Sequence, residues 1–257
     1  MNLRKTEKLN REDLGVLVLA AGKSTRIQPV SGGLPKPLLP VEGKSILERN
    51  LSWLVSSAIE SVWINLHYRA EEIQQVIGTG ENLGLKVSYS LEPEILGTAG
   101  AYKNLEQHWQ GTTLVIYGDS LVCFDLAKFL AAHQSSEAVA TIALFDQNTH
   151  HHTAIAGGRV ILDENGRITS FTEMAGTEET SPSTLVNAAV YLLEAEVLKM
   201  IPKQTFYDFA RHLFPQMLAA GYYLQGYLID GYCLGLDTPE SYAKAMSLIE
   251  TGKVKLA

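Results

Sequence analysis

GVLVLAAGKSTRIQPVSGGLPKPLLP, from Gly15 to Pro40, is the stretch on which the fold turns. Its first seven residues, Gly15 to Ala21, are an unbroken apolar run ended by Gly22. A strand buried on both faces of a parallel sheet reads this way, because neither side meets water. The continuation carries Pro29, Gly32, Gly33, Pro35, Pro37 and Pro40, a density of breakers that only a loop tolerates. Ser45-Ile-Leu-Glu48 then supplies a helix-capping box, and Ile46, Leu47, Leu51, Leu54 and Val55 recur on one helical face.

Working outward, the alternation repeats. SVWINL (61–66) predicts a strand, 70–77 a helix, LKVSYS (85–90) a strand, 97–105 a helix and TLVIYGD (113–119) another buried strand. Asp125 can cap a helix reaching about 134, before AVATIALF (138–145) returns to strand. This rhythm predicts an α/β fold, a Rossmann-like doubly wound sheet that is mostly parallel. GRVILDENGRITSF, with Asn165-Gly166 at its centre, predicts an antiparallel hairpin extension. A strand over 185–193, helices over 195–200 and 208–220, strands within 223–236 and a helix from Pro239 complete the reading. The polar residues 1–13 form a tail, and 14–257 a single domain.

Composition narrows the function. The chain has 257 residues, 46% hydrophobic, which excludes disorder, and its net charge of −7 argues against nucleic acid or an anionic membrane surface as partner. A small phosphorylated ligand remains compatible, since a few placed cations and amides can hold it. Cys123 and Cys233 are too few for a disulfide framework and lack CxxC spacing, so a reducing cytoplasm is expected. The N-terminus has no apolar core of a signal peptide, and no stretch reaches the roughly 18 apolar residues of a membrane span.

In an open α/β sheet ligands bind beyond the carboxyl ends of strands, where the 22–40 loop begins. Gly22, with small Ser24 and Thr25, lets amides approach a triphosphate, and Arg26 and Lys36 add two cations, the lysine on a proline-stiffened turn. Neither a Walker A nor a GxGxxG spacing is present, and the glycines alone would equally suit a surface connection. Asp119 follows Gly118 at the carboxyl end of an apolar strand, where a Mg²⁺ on triphosphate oxygens needs a hard oxygen ligand; its bland reading is a turn cap.

The whole string from Leu19 to Pro40, L-x-A-G-x-[GS]-T-R-x-x-P-x(5)-P-K-P-L-x-P, resembles that of the sugar-phosphate nucleotidyltransferases. Glu92-Pro-Glu-Ile-Leu-Gly-Thr-Ala-Gly-Ala101, Gly118-Asp119, Gly158, Glu173, Asn187-Ala-Ala-Val-Tyr191 and Tyr207-Asp208-Phe209 through Phe214-Pro215 extend the likeness over nearly the whole chain. It implies an enzyme joining a nucleoside triphosphate to a sugar 1-phosphate with release of pyrophosphate. Leu19, Ala21, Gly22, Ser24, Thr25, Glu92, Gly97 and Thr98 would hold the nucleotide, Gly158, Glu173 and Asn187 the sugar phosphate, and Asp119 a Mg²⁺. Arg26, Lys36 and Asp119 would be catalytic. The Leu-Gly-Thr-Ala-Gly-Ala block favours GTP with a mannose- or heptose-like phosphate.

Three departures bear on this. Met174 stands where the family has a phosphate-binding lysine. Ser24 replaces a glycine, a change shared with related cytidylyltransferases. Gly235 occupies the position of the second metal-binding aspartate; Asp237, two residues on, either reaches the metal or caps the Pro239 helix. Two alternatives follow: a non-catalytic nucleotide- or sugar-phosphate-binding relative, or a cytidylyltransferase acting on a non-sugar alcohol phosphate. His150, His151 and His152 suit an exposed loop better than a metal site, and Trp53, Trp63 and Trp109 suit packing. The chain as read carries no hexapeptide repeat after the helix from Pro239, so acyltransferase activity is not expected. Oligomeric state is not readable.

Overall fold

The computed structural model describes residues 14–153, 157–173 and 183–256. The tail over 1–13 and Met174 lie outside these.

The strands are β1 (Gly15–Leu19), β2 (Pro40–Val41), β3 (Lys44–Ser45), β4 (Ser61–Leu66), β5 (Lys86–Leu91), β6 (Thr113–Tyr117), β7 (Ser120–Cys123), β8 (Ala140–Asp146), β9 (Arg159–Leu162), β10 (Ile168–Thr172), β11 (Leu185–Leu193), β12 (Leu224–Leu228) and β13 (Tyr232–Gly235). The α-helices are α1 (Gln28–Ser31), α2 (Ile46–Ser56), α3 (Ala70–Ile77), α4 (Gly97–Asn104), α5 (Leu126–Ser135), α6 (Phe214–Ala219) and α7 (Pro239–Glu250). The main sheet has nine strands: β10-β9-β11-β6-β1-β4-β5, with β8 on β11 and β12 on β8. Pairings β6-β1, β1-β4, β4-β5 and β8-β12 are parallel. The doubly wound expectation therefore holds, with one insertion: β11 runs antiparallel between β6 and β8, which point the same way. The Asn165-Gly166 hairpin forms as expected between β9 and β10.

Strand β1 shows why its sequence is apolar throughout. Val16 and Val18 enter one core layer, with Leu51, Leu54 and Phe129, while Leu17 and Leu19 enter the layer on the other face, with Tyr102, Tyr191 and Phe214. A third cluster joins Ile27, Leu39, Val41 and Ile46 to Leu234, Leu236 and Ile249, fixing the proline-rich loop against β13 and α7. The Ser45 capping box forms, with the Glu48 amide donating to Ser45 Oγ (3.2 Å) and the Ser45 amide to Glu48 Oε2 (2.7 Å). The indoles of Trp53 and Trp109 are buried and donate to the Phe124 and Tyr102 carbonyls.

The helix expected over 208–220 is reshaped. A π-turn, Phe209–Leu213, precedes α6, and Pro215 lies in the first turn of α6. Pro215 has no amide to give the carbonyl four residues back and its ring crowds that carbonyl, so the turn before it opens. Residues 195–200 form 3-10 turns rather than an α-helix, and the strands within 223–236 separate into β12 in the main sheet and β13 paired with β7.

Candidate active site

The carboxyl ends of β1, β4 and β6 open into a cleft of about 210 Å³ whose floor is Leu19, Ala20, Ala21 and Gly22. The Gly118 amide donates to the Leu19 carbonyl (2.8 Å), and a Cβ on Gly118 would lie 3.1 Å from that oxygen. Any larger residue would crowd this oxygen and the Val18 and Leu47 side chains at the turn beyond β6, and the next residue is Asp119. β7 then pairs antiparallel with β13, with Ser120 opposite Gly235. Asp119, next to this pairing on one strand, and Asp237, two residues beyond it on the other, are thereby drawn to one place. Buried Asn50 of α2 clamps the arrangement, donating to the Ser120 carbonyl (2.8 Å) and accepting from the Val122 amide (3.3 Å).

Lys36 begins a 3-10 turn, Lys36–Leu38, between Pro35 and Pro37. Its amide donates to Ser24 Oγ (2.8 Å), and Ser24 itself adopts the left-handed region at φ 56°. Ser24 thus braces the lysine turn as well as lining the cleft. The Lys36 side chain is buried, and its Nζ donates to Asp119 Oδ2 (3.0 Å) and Asp237 Oδ1 (2.8 Å); Arg26 Nη2 donates to the same Asp237 oxygen (3.1 Å). Burial works to lower the Lys36 pKa, but the two carboxylates outweigh it and hold the ammonium above its usual 10.5. The three groups singled out as catalytic, from distant parts of the chain, therefore meet.

The cap reading of Asp237 does not hold. The α7 N-cap is Thr238, whose Oγ1 accepts from the Ser241 amide (3.2 Å), so Asp237 does not cap the helix; its carboxylate faces Lys36 and Arg26. Asp119 and Asp237 converge on a single cationic centre, the Lys36 ammonium. Two hard carboxylate oxygens at one point, next to the cleft, are a donor set suited to Mg²⁺, which takes one or two carboxylates and completes its shell with phosphate oxygens and water. Among the described residues no cluster of three or more His, Cys, Asp or Glu forms an all-protein metal cage. His150 is half-buried and hydrogen-bonded to the Ile229 carbonyl, His152 packs on Phe145, and His151 is exposed, so the run is only partly the exposed loop expected.

At the opposite end of the cleft stands Glu92. It is 4% exposed, accepting at Oε1 from Asn65 Nδ2 (2.8 Å) and at Oε2 from the Leu96 amide (3.1 Å), while Asn65 Oδ1 accepts from the Ala20 amide (2.9 Å). Burial raises the Glu92 pKa against the opposing effect of these two hydrogen bonds and of His67. Asn65 was not singled out from sequence. Its signal is a lone amide between Ile64 and Leu66, at the carboxyl end of a strand that is apolar from Val62 to Ile64.

Gly97 and Thr98 line the cleft, with Gly97 at φ +73° and so close to Tyr207 that a Cβ would lie 2.7 Å from its carbonyl. The Ala99 and Gly100 amides donate to that carbonyl (2.8 and 2.9 Å), and the Thr98 amide to Asp208 Oδ1 (3.1 Å). The amino end of α4 is thus satisfied by the 207–208 segment, which was read from sequence only as the head of a helix. Phe206 and Asp208 line the cleft through this contact. Thr25 lies outside the cleft lining, in the exposed turn Thr25–Ile27.

The remaining predicted residues form an adjoining cluster. Tyr117, in the cleft, meets Tyr191 edge-on with ring centroids 6.0 Å apart, and the Tyr191 hydroxyl accepts from Asn187 Nδ2 (2.8 Å). Asn187 Oδ1 accepts from the Ala189 amide (2.9 Å), so both ends of its amide hold the irregularity in β11. Gly158 lies against the Phe171 ring and the Glu173 carboxylate. Burial raises the Glu173 pKa; Arg211 opposes this and Asp208 adds to it. Arg211, on the π-turn, is an exposed cation missed in the sequence, where nothing marks which face of 208–220 it takes.

A family model described as nucleotidyl transferase matches residues 15–252. The chain is 32% identical over 217 residues to a UTP--glucose-1-phosphate uridylyltransferase of Synechocystis sp., covering 80% of this chain and 55% of that protein. It is also 32% identical to a mannose-1-phosphate guanylyltransferase of Mycobacterium tuberculosis, covering 92% and 64%. A D-glycero-alpha-D-manno-heptose 1-phosphate guanylyltransferase of Campylobacter jejuni is 28% identical, with 88% and 96% covered. The chain thus spans between about half and two thirds of the first two relatives' length. In fold it is similar to HddC from Yersinia pseudotuberculosis complexed with GMP-PN, at a TM-score of 0.74 and 24% identity, covering 91% of this chain and 98% of that one. The match over 15–252 places the chain in the nucleotidyl transferase family.

Proposed function

We propose that the chain transfers a nucleotidyl group from a nucleoside triphosphate to a sugar 1-phosphate. A sugar-phosphate oxygen attacks the α-phosphorus in line, the bond from the α-phosphorus to the β,γ-unit breaks, and pyrophosphate leaves. The nucleophile is already ionised, so no general base is needed and catalysis is positioning plus charge stabilisation. The observation that carries this reading is the convergence of Lys36 and Arg26 with Asp119 and Asp237 beside the cleft. Arg26 binds the β,γ-phosphates and the departing pyrophosphate, and Lys36 neutralises charge on the α-phosphate. Asp119 and Asp237 would hold Mg²⁺, which would supply Lewis-acid neutralisation of the phosphate charge. Asp237 supplies the carboxylate that Gly235 lacks, which weighs against a non-catalytic relative.

GTP is the favoured nucleotide. Ionised Glu92 is an acceptor only, with each oxygen already oriented by one donor, and the guanine edge offers two adjacent donors, N1–H and N2–H₂. The guanylyltransferases among the relatives support this, with a mannose- or heptose-like phosphate as acceptor. Glu173, Gly158, Asn187 and Arg211 form the sugar-phosphate end. Both cysteines are free thiols, in keeping with a reducing cytoplasm, and no helix of the described residues is long and apolar enough to cross a membrane.

Pyrophosphate release tests the reading. Purified protein with Mg²⁺, each nucleoside triphosphate and a panel of sugar 1-phosphates is expected to turn over fastest with GTP and mannose or heptose 1-phosphate. Nucleotide binding without pyrophosphate from any sugar phosphate refutes transferase activity. Turnover of CTP with a non-sugar alcohol phosphate alone would instead establish the cytidylyl alternative.

A further inference from the structure

Phe206 is 54% exposed, at the rim of the cleft. An apolar ring left half in water forgoes much of the gain of burial, yet the backbone that carries it is firmly held. The Tyr207 amide donates to the Leu96 carbonyl (2.8 Å), the Tyr207 carbonyl accepts twice from α4, and the Thr205 carbonyl packs so close to Gly100 that a Cβ there would lie 2.8 Å from it. The neighbouring Tyr207 ring stacks on His212 with centroids 4.9 Å apart, and its hydroxyl donates to Gln216. His212 also meets Phe206 edge-on at 6.4 Å. The aromatic at the rim is therefore fixed at its backbone and braced on one edge, with its remaining surface free.

We infer that Phe206 is a stacking platform for the nucleobase, closing over it from the solvent side while the Leu19–Gly22 backbone lies beneath. The inference rests on the nucleotidyltransferase reading of the cleft. The placement favours the base over the sugar: Phe206 rides on the Leu96–Gly100 segment, next to Ile95 and the turn held by Glu92, and its ring has no polar group for a sugar hydroxyl. Stacking tolerates any base, so this residue would set affinity for the nucleoside and leave base choice to Glu92.

Calorimetric titration of wild type, Phe206→Ala and Phe206→Trp with GTP and, separately, with inorganic tripolyphosphate in the presence of Mg²⁺ tests this. Loss of one base–aromatic stack predicts GTP binding weakened about 5- to 150-fold in Phe206→Ala. Tripolyphosphate binding should be unchanged, and Phe206→Trp should restore GTP affinity. Equal loss for both ligands would assign Phe206 a structural role. Unchanged GTP affinity would likewise overturn the proposal. Wild type failing to bind any nucleotide would refute the functional reading itself, a result separate from these.

Discussion

Replacing Lys36 by methionine separates folding from chemistry. The side chain is 6% exposed, and its ammonium lies 3.0 Å from Asp119 and 2.8 Å from Asp237, whose side chains are 32% and 25% exposed. At an effective dielectric constant of about 20 each contact is a gross attraction of roughly 5–6 kcal/mol, much of it offset by the desolvation of three charges. Removing one member of a fully buried pair costs about 3–5 kcal/mol; here water still reaches both carboxylates, so a loss of about 1–3 kcal/mol is expected. For a chain of this size that lowers Tm by roughly 2–10 °C, readable by circular dichroism. Methionine fills the stem's space, so little packing is lost. Turnover should fall far more, by about 10²- to 10³-fold, the usual consequence of deleting one preorganised charge partner of a transferring group. Binding of Mn²⁺ without nucleotide, followed by electron paramagnetic resonance, should tighten, because the cation that occupies both carboxylates is gone. A folded Lys36→Met protein with pyrophosphate release within about threefold of wild type would remove Lys36 from the mechanism. Mn²⁺ binding unchanged from wild type would show that the two carboxylates do not form a metal site.

Asp237→Ala should reduce turnover by at least about 10²-fold and weaken Mn²⁺ binding; the α7 cap at Thr238 stays, but the buried Lys36 ammonium loses one of its two carboxylates, so Tm should fall by a few degrees; a fully active variant would exclude Asp237 as a ligand. Glu173 has a pKa raised above its ordinary 4.5, so the native state takes up its proton more readily than the unfolded chain. Its contribution to stability is therefore full below 4.5 and lost as the pH rises through the higher folded value, so the Tm difference between wild type and Glu173→Gln should favour wild type more at acid than at neutral pH. A pH-independent difference would refute that origin. The Cys233 thiol is buried and pushed up to about 12, whereas Cys123 is only half-buried; under native conditions a thiol-reactive disulfide should label Cys123 first, and the reverse order would contradict the packing of β13.

The sequence alone determined the β-α-β order and the proline-rich loop that carries Arg26 and Lys36, because both are local: apolar runs report strands buried on two faces, and a density of prolines and glycines reports a loop. Lys36, Asp119 and the α2 capping box were legible for this reason. The tertiary structure decided what depends on contacts between distant segments. Asp237 proved to face the site because the pairing of Ser120 with Gly235 aligns the residues beyond both strands, a register that no spacing encodes. The role of Asn65, and the placement of Asp208 at the cleft, emerged only when β4 and the 207–208 segment were brought against the floor of the cleft. The π-turn before Pro215 likewise departs from a helical pattern that the sequence carries intact, since a proline in a first turn is locally permitted and its crowding of the preceding carbonyl shows only in three dimensions.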